Sequence, residues 1–231
     1  DQPMNPFAGA GAGGTVIDDF DGDNFDHGPL GFVGGASIAC TVTGGRPIQQ
    51  MSVPPGTPAW GAGWKKAIKD NYRYAISIGS QGSVMSYRDN DLDLDPTYKD
   101  VYGQPLLRMT FDWKPNDINM TQFIKGKMEG IAQAMGPRQM AAGFKKMGDH
   151  YDTRAYQSTH NTGGAPMGTD PSTSAVNRYL QVWDVPNVFV MGASAFPQNF
   201  GYNPTGIVGA LAYWSAKHIR ERYLKSPGAL A

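Results

Sequence analysis

The sequence predicts an α+β fold: an antiparallel sheet with helices, followed by the last strand and helix of an α/β arrangement. Three observations carry this. Alternating and β-branched runs between Phe32 and Trp113 have the two-residue period of strands and are separated by turn residues. Ile124, Met128, Ile131, Ala132 and Met135 then recur at helical spacing. Last, Asn187-Val188-Phe189-Val190-Met191 is a short apolar run closed by Gly192, and a long apolar helix follows it.

Each element follows in order. Residues 1–30 are rich in Gly, Asp and Phe and have no helical period, so they read as irregular apart from a short strand at Thr15-Val16-Ile17. Phe32 to Thr43 is small, β-branched or apolar and suits a buried strand. Pro47, Pro54, Pro55 and Pro58 make a connector, and a short helix is expected around Trp64 to Lys69. Strands are expected over Tyr72 to Ile78, Val84 to Tyr87 and Leu106 to Trp113, joined in one antiparallel sheet. Turns are expected between them at Asp95-Pro96 and Tyr102-Gly103-Gln104-Pro105. Asn116 or Asp117 is expected to cap the helix that follows; Gly136-Pro137 stops it, and Pro137 opens a second short helix to Met147. Residues 187–191 are expected as a strand of a parallel sheet, buried on both faces. A loop from Ala193 to Asn203 then leads to Pro204-Thr205 and a helix to about Tyr223, whose Ile207, Val208, Leu211, Trp214 and Ile219 form a broad buried face. Strand, glycine turn, polar loop and helix is an arrangement that carries a ligand at the helix start.

Composition removes several classes of function. With 20 basic and 20 acidic residues there is no net charge, so neither nucleic acid nor an anionic membrane surface is expected as the main partner: both require a basic field. Cys40 is the single cysteine, which excludes an internal disulfide and a zinc or iron–sulfur centre built from this chain's cysteines. No stretch approaches the ~20 consecutive apolar residues of a membrane span. Asp1-Gln2-Pro3-Met4-Asn5-Pro6 has neither the basic end nor the apolar run of a signal peptide. The glycines gather in short clusters, which fits tight turns and close backbone approach.

Several formal motifs fail on context. Gly9-Ala10-Gly11-Ala12-Gly13-Gly14 fits the dinucleotide fingerprint, but no strand precedes it and Asp18 to Gly22 cannot start a long amphipathic helix, so it reads as a flexible turn. Asp19, Asp21 and Asp23 have the spacing that opens a calcium loop, yet Asn24 and Leu30 stand where glycine and glutamate are needed. Asp91, Asp93 and Asp95 alternate on a strand and end at Pro96; both acid clusters read as solvated. No two of His27, His150, His160 and His218 have the spacing of a helical metal pair, so no metal is expected, and taken singly each reads as structural or solvated.

His160 stands apart by its surroundings. In Thr159-His160-Asn161-Thr162-Gly163-Gly164-Ala165-Pro166-Met167-Gly168 an imidazole precedes a glycine pair, where backbone can approach a ligand closely. Gly201-Tyr202-Asn203-Pro204-Thr205 follows at a helix start. In these residues the chain resembles the glucose–methanol–choline (GMC) oxidoreductase family, specifically its carboxy-terminal part. His160 with Gly163-Gly164 matches the family's histidine motif, Val188 to Ser194 its last strand and small-residue turn, and Asn203-Pro204 the residue before its final helix. Asp91-Leu92-Asp93-Leu94-Asp95-Pro96, Lys99-Asp100, Gly103 and Pro105 resemble the substrate-domain strands of bacterial sugar, polyol and sugar-acid dehydrogenases, the gluconate 2-dehydrogenase and sorbitol dehydrogenase types of flavoprotein large subunit.

The resemblance implies a segment bordering the flavin domain at 1–30, a substrate-binding domain at 31–156 and the carboxy-terminal part of an FAD-binding domain at 157–231. It implies FAD as cofactor, His160 and Asn203 as the catalytic pair, and Gly192, Ala193, Asn203, Pro204 and Thr205 around the cofactor. The family's nucleotide fingerprint is not in this sequence, so either a further part of the polypeptide or another polypeptide is expected to hold it. Oxidising an alcohol removes the hydroxyl proton and moves a hydride from the same carbon to flavin N5. A neutral imidazole, of ordinary pKa about 6.5, suits the first task; an amide cannot act as base but can donate to the substrate oxygen. Gln198, Asn199 and Tyr202 stand close enough in sequence to line the pocket. The resemblance further implies electrons passed to a cytochrome or quinone, a small companion subunit, a cytochrome c subunit, and work on the periplasmic side of the inner membrane. The other readings are a non-catalytic substrate-binding fragment and an oxygen-using oxidase.

Overall fold

A computed structural model describes residues 3, 14–22, 24–42, 53–154 and 159–230. The Gly9–Gly13 run, Asp23, Thr43 and Pro47 lie outside the described residues. The fold is α+β, with helices and antiparallel sheets mixed along the chain. It divides into two compact units: Asp1–Gly82 with Pro115–Gly148, and Ser83–Lys114 with Asp149–Ala231.

The first unit is built on a three-stranded antiparallel sheet in the order β1 (Gly14–Ile17), β2 (Ala36–Val42), β3 (Ile76–Gly82). Its register runs Gly14↔Thr41 to Ile17↔Ile38, and Ala36↔Gly82 to Val42↔Ile76. A side chain at Gly14 would run into the Cys40 carbonyl oxygen, so glycine is what lets β1 close on β2. Between β2 and β3 lies helix α1 (Gly61–Asn71). Helix α2 (Pro115–Ala134) packs on the sheet. Met120, Ile124 and Met128, one turn apart on one face, bury against Phe32, Ala36 and Ile38, with Phe20, Phe25 and Phe123 at the margin.

The second unit holds two smaller antiparallel pairs. One joins β4 (Val84–Met85) to β7 (Gln198–Asn199); the other is the hairpin of β5 (Asp91–Lys99) and β6 (Pro105–Thr110). Helix α3 (Thr205–His218) continues as a π-helical turn over Ile219–Tyr223. Its Leu211 packs on a core of Val176, Leu180 and Ala195.

Several elements depart from the expectations above. Among the described residues the strands form three separate antiparallel sheets instead of one. The strand expected over 72–78 begins at Ile76, because Tyr72 N–H donates to Ile68 O and Tyr74 N–H to Asn71 O, which closes α1. Asp95-Pro96 lies inside β5: the Asp95 carboxylate accepts the N–H groups of Thr97 and Tyr98, each at 2.8 Å, and the register shifts there without ending the strand. The expected turn at Tyr102-Gly103 is present, with Gly103 at φ 83° and the Asp100 carboxylate accepting from Tyr102 and Gln104.

Helix α2 opens at Pro115, where proline's missing donor costs nothing. Asn116 does not cap it in the expected way; its amide receives Val33 N–H at 2.8 Å and donates to Val33 O at 3.2 Å. The helix ends at Ala134, which leaves Met135 outside it and 51 % exposed. No helix forms over 137–147: residues 133–143 are exposed, so a short helix there would have no buried face to offset its nucleation. Among the described residues the run 187–191 has no parallel partner. A turn with Val188 N–H on Val185 O folds it back, so that Phe189 bridges Gln181 antiparallel and Val190 N–H donates to Leu180 O. Short local closure is entropically cheaper than a distant partner. Val188 and Met191 stay exposed. Along α3 only Ser215 is buried, and Ile207 and Trp214 are exposed; an apolar face this broad needs cover on more than one side, and the described residues cover one.

Candidate active site

The candidate site is built within the second unit, where two loops run side by side. Gly192, at φ 116°, turns the chain into a short 3₁₀ turn over Ala193–Ala195. Three small residues there let a second segment approach. Gly163 N–H donates to Ala193 O at 3.3 Å, Ala165 N–H to Ser194 O at 2.8 Å and Met167 N–H to Ala195 O at 2.8 Å. Gly163 adopts φ 82°, and a side chain there would meet Ser86 Oγ at 3.4 Å and Phe196 O at 3.7 Å. The glycine of the histidine motif is thus favoured by its left-handed backbone, while the space beside it would leave a side chain in ordinary contact.

The loop after the 3₁₀ turn is gripped at each step. Ala195 and Phe196 are fully buried. Ser86 Oγ donates to Pro197 O at 2.6 Å, and Gln198 and Asn199 pair with Met85 and Val84 across β7 and β4. Asn199 Nδ2 donates to the His160 carbonyl at 2.7 Å. The chain then passes Tyr202 and Asn203, both exposed, to Pro204, which is buried and occupies the cap position of α3. Pro204 offers no side-chain hydrogen bond to that helix start, and Thr205 and Gly206 are exposed in its first turn.

The structure thus brings the half-buried His160 into one hydrogen-bonded network with the loop that begins at Gly192-Ala193. Asn203, Pro204 and Thr205 stand where that same loop becomes α3. Gln198 and Asn199 form a strand that ties the loop to β4. Ser86 was not foreseen: nothing in a lone serine signals a contact with a carbonyl so far along the chain.

A second pair of titratable groups also escaped the sequence reading. His150 Nδ1 lies 2.6 Å from Asp112 Oδ2, while Asp112 Oδ1 accepts Tyr151 N–H at 2.9 Å and Trp113 N–H at 2.9 Å. The His150 hydrogen bond, with the two backbone donors, lowers the Asp112 carboxyl to about 2; the same carboxylate raises His150 above its ordinary value. Of the other histidines, His27 bonds Gly22 O at 2.6 Å, and the His218 ring lies against Tyr179 and Trp214 at 4.6 and 4.3 Å. Among the described residues no three His, Cys, Asp or Glu side chains group so as to hold a metal ion. No helix among them is long and apolar enough to cross a membrane.

Known proteins are similar to this chain. A gluconate 2-dehydrogenase flavoprotein of Pantoea cypripedii is 62 % identical over 226 residues, which is 98 % of this chain and 37 % of that protein. A 2-methyl-1,2-propanediol dehydrogenase of Mycolicibacterium austroafricanum is 27 % identical over 84 % of this chain and 34 % of its own length. A fructose dehydrogenase large subunit of Gluconobacter japonicus is 26 % identical over 66 % of this chain and 26 % of its own. The chain therefore spans between about a quarter and little more than a third of the length of these relatives. The GMC oxidoreductase pattern itself matches residues 86–212, from the end of β4 into α3, and so takes in His160, the glycine pair, the Gly192 turn and Asn203. The chain belongs to the GMC oxidoreductase family.

Proposed function

We propose that this chain forms part of an FAD-dependent dehydrogenase that oxidises a hydroxyl group of a sugar, polyol or sugar acid. In this reading residues 1–30 border the flavin domain, 31–156 bind substrate and 157–231 complete the FAD-binding domain. The observation that carries it is the network joining His160 to the loop that opens α3, through Asn199 and the Gly163–Ala193 contact. The relatives are named as dehydrogenases of gluconate, fructose and a diol, which supports the substrate class.

The residues present fit a flavin. The first turn of α3 opens at Pro204, whose side chain cannot cap its N–H groups, and Gly206 has open space where a side chain would stand. A helix start of this kind favours negative charge by about 0.3–1 kcal/mol near the surface. Gly192 likewise has nothing within 4 Å of a would-be side chain. Gly192, Ala193, Asn203, Pro204 and Thr205 would hold the group. FAD, when bound, supplies the ring that receives hydride from the substrate carbon.

The chain's own residues do the rest. His160 takes the hydroxyl proton at its imidazole, a contribution of roughly 10²–10⁴ in rate, or ~3–5 kcal/mol of barrier. Asn203 donates from its amide to the substrate oxygen and fixes which C–H bond faces the ring. Electrons leave to a cytochrome or quinone acceptor, with a small companion subunit and a cytochrome c subunit, at the periplasmic side of the inner membrane. The relative named as a large subunit supports the presence of companion subunits.

In the complete flavoprotein, His160→Ala is expected to lower dye-linked turnover by at least about 10²-fold while the visible flavin absorbance persists. Near-normal kcat in that variant would remove His160 from the chemistry.

A further inference from the structure

The geometry points to Asn199 as the positioning residue for His160, an inference that rests on the dehydrogenase reading above. Its side chain makes one committed contact, Nδ2 to the His160 carbonyl at 2.7 Å. Turning the amide over would set Oδ1 against that carbonyl oxygen, two acceptors face to face, so the orientation is determined by chemistry. In this orientation Oδ1 is buried and has no hydrogen-bond partner among the described residues. A buried acceptor without a donor is costly. The cost falls on an amide whose donor end holds the backbone of the candidate base.

The backbone of Asn199 is fixed independently of that contact. It pairs with Val84 across β4 and β7, and the adjoining Pro197 carbonyl takes the Ser86 hydroxyl at 2.6 Å. Asn199 is therefore anchored on the sheet side and reaches across to His160 with its side chain. It also belongs to the loop that ends at Asn203-Pro204 and the start of α3. One amide thus links the position of the base to the loop that presents the second catalytic group. Hydride transfer needs the hydroxyl proton and the C–H bond addressed together, and a misplacement of ~1 Å at such a site can cost about 10²-fold. Asn199 touches neither substrate nor cofactor in this account; it acts through His160.

The test uses the complete flavoprotein with Asn199→Asp, which keeps the shape and replaces the donor by an acceptor. The readouts are flavin content, Tm, and the rate at which substrate bleaches the bound flavin. The expected result is full flavin, a lowered Tm, and bleaching per bound flavin slowed by about 10–100-fold with KM little altered. A variant that bleaches at the parent rate per bound flavin overturns the inference, whether or not it loses flavin or melts earlier, since Asn199 would then serve the fold alone. Asn199→Ala, which introduces no charge, is read in the same way if the aspartate variant does not fold. His160→Ala run beside them separates the two claims. If it stays active, the dehydrogenase reading fails and takes the inference with it; if it is inactive while Asn199→Asp is normal, only the inference fails.

Discussion

At Asp112 one carboxylate joins the end of β6 to the segment 149–151, holding His150 by one oxygen and two backbone N–H groups by the other. The pH dependence follows from the direction of each shift. Asp112 is lowered from 3.8 to about 2, so its contribution is present above the ordinary carboxylate range and is lost as pH falls towards about 2. His150 is raised above 6.5, so its contribution is complete below that value and is lost as pH rises through the raised one. The contact is thus whole only between those limits, and its screened, exposed position keeps its energy small. An NMR titration is expected to place the His150 midpoint above 6.5, and Asp112→Asn is expected to bring it back towards 6.5. A midpoint unmoved by Asp112→Asn would show that the carboxylate does not hold the ring. The same residues mark the limit of reading a sequence at this scale. His160 could be found because its glycine neighbours leave a conformational trace, and Gly163 does adopt the left-handed backbone that such a trace implies. His150, Ser86 and Asn199 carry no local trace, since their partners Asp112, Pro197 and His160 are distant in the chain and every one of these residue types is common on surfaces.

Among the elements, those with a strong internal period were legible and those set by a neighbour were not. The face of α2 was readable because Ile124 and Met128 recur at a helical turn and bury together. The helix beginning at Thr205 and running to Tyr223 was readable from Pro204 and a long apolar stretch. The pairing of the run 187–191 was not legible, because an apolar pentapeptide does not specify the sense of its partner. What fixes that region is polar and long-range. Gln181 is 1 % exposed; its Nε2 donates to Pro186 O at 2.6 Å and Gly228 O at 2.8 Å, and its Oε1 accepts Leu230 N–H at 2.7 Å. Asn177, 5 % exposed, adds a bond to Leu230 O at 3.0 Å. These two amides tie the 186 turn and the segment 228–230 to a backbone that holds Leu180 at φ 64°. Gln181→Leu keeps the volume, deletes four bonds, the fourth being that from Asn177 Nδ2 at 3.3 Å, and leaves two carbonyls, the Leu230 N–H and the Asn177 amide to find other partners. It is expected to destabilise the second unit by about 2–4 kcal/mol in denaturant unfolding. A loss below about 0.5 kcal/mol would mean that water replaces the amide at no cost.

For the molecule as a whole, the order of the chain hides how its cores are assembled. A sequence read from end to end assigns one sheet to the first two thirds, whereas the first unit is closed by α2 only after the chain has built β4, β5 and β6 of the second. Nothing local to Ser83 or Pro115 announces those crossings. Each unit has its own apolar core: Phe32, Ala36, Ile38, Met120, Ile124 and Met128 in one, Val176, Leu180 and Ala195 in the other. Separate cores are the physical basis for separate stabilities. Ile124 is 2 % exposed and contributes to the first core alone, so Ile124→Ala should remove about 2–5 kcal/mol through lost burial and the cavity left behind. Native-state hydrogen exchange can show where that loss falls. Amides of the first sheet, such as those of Ile38 and Ile78, are expected to lose protection by that amount, while the Val190 N–H, bonded to Leu180 O in the second unit, keeps its own. Equal loss at both places would mean that the two cores unfold as one, and that the stability of the candidate site depends on a helix belonging to the other unit.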